Sequence, residues 1–146
     1  MTSERILQAD LAATIVLAVS GAAAAIWPDT LAVPYAVIGI VAFLAGCGIF
    51  LWSYAIAVGR SRDEVLSVIG IYFLAGAAPA GVRRRLLGLL LAQCVIVVAA
   101  ASVQPYTAVA FGVLAPMLGL ALMGLWGARF GTFPARDDER GRRPAA

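Results

Sequence analysis

Four long apolar runs, separated by short polar stretches, set the plan of this chain. The first span is read over about residues 8–27. Its uninterrupted part, Leu11 to Trp27, stops at Pro28-Asp29-Thr30. The second, about 34–58, opens on Pro34, which suits a first helical turn because its missing N–H costs nothing there. The third covers about 84–103 and the fourth about 106–128, with Pro105 in the turn between them. About 20 apolar residues rising 1.5 Å each cross the ~30 Å hydrocarbon core of a bilayer. The predicted fold class is an all-α membrane protein, with four transmembrane helices in residues 1–128 and a polar tail over 129–146. Arg5 ahead of an apolar run has the outline of a signal peptide. Glu4 and Asp10 flank that run and it ends in Trp27-Pro28, so a retained helix is expected.

Gly59 to Arg85 joins the two halves and breaks the pattern. Val65 to Ala78 carries no charge, yet as a helix it reaches only about 21 Å. Arg60 and Arg62 precede it, and Arg83, Arg84 and Arg85 follow. Arginine clusters stay on the cytoplasmic side, so both ends belong there and the segment does not cross. Ser61-x-x-Glu64 reads as a capping box and predicts a short helix over about 62–76. Two forms stay open: a helix lying in the interface or on the bundle, and a re-entrant hairpin.

Charge fixes the expected orientation. All eleven basic residues are arginines, and Lys, His and Asn are absent, a composition that fits a high-GC bacterial genome. In a four-span arrangement every arginine falls on one side. The loops near Asp29 and Gln104 have none, which puts both termini in the cytoplasm and the protein in a bacterial inner membrane. Arg60, Arg62, Arg83, Arg84 and Arg85 are then membrane-surface arginines, with lipid as their partner. Nucleic acid is not expected, because the arginines sit at membrane boundaries.

Candidate chemistry is sparse. Without His there is neither a histidine base nor a histidine metal ligand. The chain has no Walker loop, no G-x-S-x-G elbow and no paired carboxylates at membrane depth. No catalytic, cofactor-binding or metal residue is expected. The apolar runs hold no ionisable group; Asp10 sits at the lip of the first. Gln93 is the most polar residue at membrane depth and is expected to make an interhelical hydrogen bond. Cys47 and Cys94 read as small apolar residues. Pro116 predicts a kink near Gly112. Ala108, Gly112, Ala115 and Gly119 form one small-residue face, and Ala42 and Gly46 another. Such faces let helices approach closely. The expectation is that one packs inside and that the fourth helix turns its face outward to a partner. Leu51-Trp52 followed by Arg62-Asp63 is echoed by Leu125-Trp126 followed by Arg136-Asp137, the outline of a duplicated hairpin.

In length, topology and composition the chain resembles small four-helix inner-membrane proteins of high-GC bacteria. In size and plan it is similar to the accessory subunits that accompany Mce-type envelope lipid transporters. That resemblance implies a non-enzymatic accessory or scaffolding role beside other membrane subunits. A small oligomeric transporter of an apolar or lipid-like solute is the alternative.

Overall fold

The structure, a computed structural model, describes residues 2–136; of the tail expected over 129–146, the acidic cluster Asp137 to Glu139 and all that follows lie outside them, while 129–136 lie within. Helix α1 covers Ser3–Ile26, α2 Pro28–Arg60, α3 Val68–Tyr72 and α4 Ala80–Val103. A 3-10 stretch, Ala108–Leu114, then leads into α5, Pro116–Phe130. Four helical stretches are long and apolar enough to cross a membrane: α1, α2, α4, and Ala108–Phe130 taken together. The chain is thus an all-α, four-span membrane protein with a short helix between its second and third spans.

Only Trp27 separates α1 from α2. Pro28, not Pro34, takes the first helical turn, so α2 starts earlier than the apolar run suggests. Pro34 is accommodated inside the helix. In the fourth span, Pro116 lacks the N–H that would continue an α-helical ladder. The chain answers with 3-10 geometry up to Leu114 and restarts as an α-helix on Pro116. The expected kink near Gly112 is therefore a change of helix type. Thr107 starts the 3-10 stretch, its hydroxyl accepting the Val109 N–H.

The linking segment corrects the sequence reading. The helix expected over 62–76 shrinks to Val68–Tyr72. Both members of the supposed capping box are engaged backwards on α2. Ser61 is that helix's C-cap, and its hydroxyl donates to the Val58 carbonyl at 2.7 Å. Glu64 pairs with Arg60 at 2.7 Å. The working cap is Ser67, whose hydroxyl accepts the Gly70 N–H at 2.9 Å. Helix α3 packs into the bundle. Gly70, Ile71 and Tyr72 are buried, and Tyr72 stacks on Phe50 with ring centroids 4.6 Å apart. Leu74, fully buried with φ +56°, and Gly76, with φ +72°, turn the chain back toward α4. The segment leaves and returns at the same end of the bundle, the end that carries the arginines.

The stretch after α5 braces this linker. Val65 N–H donates to the Pro134 carbonyl at 2.9 Å, Arg136 N–H to Asp63 at 2.9 Å, and Thr132 N–H to Ala77 at 3.0 Å. Arg60 completes the clasp. Its guanidinium donates to the Ala128 and Gly131 carbonyls at 2.8 and 2.9 Å, and it lies over the Phe133 ring.

Helix α5 is the axis of the bundle. Every residue from Ala121 to Ala128 is buried, and a helix apolar and buried on all sides sits inside its neighbours. Helix α2 packs mainly on the fourth span, and α1 mainly on α4. The small residues of α2 press on the backbone of the fourth span, while Gly112 and Gly119 make room for the Tyr35 and Gln93 side chains. A Cβ on Gly39 would lie 2.9 Å from the Phe111 carbonyl oxygen, and one on Gly46 only 2.8 Å from the Leu118 nitrogen. Backbone touches backbone there, as small residues permit. The expectation that the fourth helix turns Gly112, Ala115 and Gly119 outward is therefore overturned, since all three are buried. Ala42 and Ala108 pack against the same interior cluster. The echoed tryptophans also part company: Trp52 is exposed and Trp126 is buried.

Candidate functional site: a buried carboxylate and its amide

Asp10, Thr14 and Gln93 meet inside the bundle. The buried residues of α1 recur as Ile6, Asp10, Thr14, Leu17, Gly21 and Ala24. Steps of four and three keep them on one helix face, so the register that buries Ile6 and Leu17 carries Asp10 inward. Gln93 arrives from α4, where Leu86, Gln93, Val97 and Ala100 form the buried side. Gly119 of α5 completes the site, because any Cβ there would collide with the Gln93 amide oxygen. Asp10 is 0% exposed and Gln93 2%.

Three elements place the cluster along the bundle. Trp126 Nε1 donates to Ser3 Oγ at 2.8 Å, which levels the start of α1 with the end of α5. Asp10 lies seven residues above Ser3, Gly119 seven residues from Trp126, and Gln93 eight residues beyond Arg85. Each is a climb of about 10–12 Å. The cluster thus sits about two to three helical turns in from the arginine-bearing end of the bundle. This overturns the reading of Asp10 as a lip residue and of the spans as free of ionisable groups. The misplacement arose because the apolar run starts at Leu11 while the helix starts at Ser3.

The hydrogen bonding is lopsided. Gln93 Nε2 donates one proton to Asp10 Oδ1 at 2.8 Å and the other to Thr14 Oγ1 at 2.9 Å. The Thr14 hydroxyl donates to the Asp10 carbonyl at 2.8 Å. Every donor of the trio's side chains is used. Asp10 Oδ2 and Gln93 Oε1 remain buried with no partner among the described residues. Both are acceptors, and what the site lacks is a donor. Among the described residues the ion pair found is Arg60 with Glu64, at the end of the bundle. An ionisable group inside a membrane span is a functional candidate by default.

The expected interhelical contact of Gln93 is present, with a partner that the sequence did not name. The surface arginines divide into three kinds. Arg60 is the clasp described above. Arg83 Nε donates to the Phe73 carbonyl at 3.2 Å. Arg62, Arg84 and Arg85 are exposed. Cys47 and Cys94 are free thiols and half-buried. Among the described residues, no group of three or more Cys, Asp or Glu side chains converges as metal ligands would.

A second interior polar group is Tyr35, 1% exposed, whose hydroxyl has no partner among the described residues. Its ring fills a slot left by Gly21 and Gly112. No family model, curated protein or solved structure matches this chain.

Proposed function

We propose that the protein is a non-catalytic accessory or scaffolding subunit of a larger assembly in a bacterial inner membrane, with both termini in the cytoplasm. An envelope lipid transporter is the assembly that its size and plan suggest. The observation that carries this reading is the buried axial helix. Residues Ala121 to Ala128 occupy the centre of the bundle. Tyr35 and Tyr72 fill the slots at Gly112 and Gly124. A solute has no axial route through such a core. Meanwhile α1, α2 and α4 expose Val19, Val33, Leu44, Leu51 and Leu91, the apolar exterior that a membrane or a membrane partner covers. The one-sided arginines support the orientation.

Asp10 favours a second reading, a small oligomeric transporter that uses a carboxylate at membrane depth. One experiment separates the two. The tagged full chain is purified from native membranes in mild detergent, and Asp10→Asn is made in parallel. An accessory subunit brings down a stoichiometric membrane partner, and the variant does so equally. If the chain purifies alone, and its uptake activity in liposomes is lost with Asp10→Asn, the transporter reading replaces it.

A further inference from the structure

The seam between α1 and α4 holds an open groove of about 460 Å³ at the arginine-bearing end. It is lined by Leu7, Gln8 and Leu11 of α1 and by Arg84, Arg85, Gly88 and Leu89 of α4. We propose that this groove is a binding site for one anionic phospholipid, with the headgroup phosphate held by Arg84 and Arg85 and an acyl chain laid across Gly88. The inference does not depend on the accessory reading, since a transporter could hold such a lipid equally well.

Three observations converge on that occupant. The first is charge: adjacent arginines meet a phosphate with several donors, and basic pockets between spanning helices on the cytoplasmic side select anionic headgroups. The second is lining. Beyond the two guanidinium groups and the Gln8 amide, the groove is aliphatic, so it suits a molecule that is anionic at one end and hydrocarbon beyond. A soluble phosphate compound would leave Leu7, Leu11 and Leu89 uncovered. The third is placement. Arg84 and Arg85 lie in the first turns of α4, with Leu89 one turn deeper. That is the order in which a lipid meets the membrane: headgroup first, chain below. Arginine stems can lie along the apolar wall while their heads stay at the headgroup level. Gly88 leaves the groove open beside it, because a Cβ added there meets nothing within 4 Å.

That open space makes the test clean. The full-length protein is placed in phosphatidylcholine nanodiscs, and retained phosphatidylglycerol or cardiolipin is measured by native mass spectrometry. The wild type is expected to retain the anionic lipid at least tenfold over phosphatidylcholine. Arg84→Gln with Arg85→Gln should lower retention about tenfold or more. Gly88→Leu should do the same with both arginines present, since its side chain starts from open space and extends into the groove. Arg62→Gln with Arg129→Gln removes the same charge from exposed positions elsewhere and should change retention less than twofold. Equal loss in that control would reduce the effect to a diffuse basic surface and overturn the site. So would unchanged retention in Gly88→Leu. Displacement of the lipid by inorganic phosphate at equal concentration would show a phosphate site, and the lipid assignment would fall.

Discussion

The Gln93 amide has two protons, and Asp10 and Thr14 take both. Removing that donor strands the carboxylate in a span without a cation among its bonded partners. Gln93→Leu should therefore destabilise the folded protein by about 1–3 kcal/mol, as an unsatisfied buried polar group does, in reversible unfolding from mild detergent into SDS. Asp10→Asn should act in the opposite direction. Its new N–H₂ brings a donor to a site where two acceptors, Asp10 Oδ2 and Gln93 Oε1, have none. Stability equal to or above that of the wild type is expected. A double-mutant cycle between positions 10 and 93 should give a coupling of about 0.6–1.7 kcal/mol, between the average and the largest values for hydrogen bonds in membrane bundles. Zero coupling would mean that the bond contributes nothing to the fold. Half of this site was legible in the sequence. Gln93 stood out because polarity inside an apolar run is visible residue by residue. Asp10 did not, because its depth is set by where helix α1 begins. The missed signal was periodic: Asp10 shares the i, i+4, i+7 face of Thr14 and Leu17.

At the scale of elements, length and hydropathy were enough to place four spans, because the bilayer imposes that length on any sequence. Local motifs were less dependable. Ser61 and Glu64 have the spacing of an N-terminal cap, but α2 was already running through Arg60 and claimed both as C-terminal partners. The small residues were legible as contact surfaces and not as to what they contact, since spacing says that a neighbour comes close without saying whose helix it is. The glycines of α2 test the packing that resulted. Gly46→Ala places a methyl group against the Met117–Leu118 backbone, and that backbone cannot rotate away. A loss of about 1–3 kcal/mol is expected, typical of overpacking. Gly48, two residues on, faces open space. Gly48→Ala should gain about 0.5–1 kcal/mol from helix propensity alone. Similar effects at the two positions would contradict the close approach of α2 and the fourth span.

For the whole molecule, the main packing runs between the halves of the chain, α2 with the fourth span and α1 with α4. Each hairpin by itself leaves its best surface uncovered. The four-span path also makes a clear accessibility prediction. In a background lacking Cys47 and Cys94, a cysteine at Asp29 or at the fully exposed Tyr106 should react in intact cells with an impermeant thiol reagent. One at Arg62 should react only after the cells are opened. Labelling at Arg62 from outside would reverse the proposed orientation; labelling at all three would break the four-span path itself.

The brace between the linker and the stretch after α5 has a consequence for how the chain is made. Val65 cannot find its acceptor, the Pro134 carbonyl, until the ribosome has added about 70 more residues. At about 5–20 residues per second, the nascent linker waits several seconds with its backbone unpaired, while α4 and the last span are still being delivered. The latch can close only after the fourth span and the stretch beyond it have been made. A chain stopped after Phe130 should still insert four spans, but its Val65 amide should exchange with deuterium far faster than in the full-length protein.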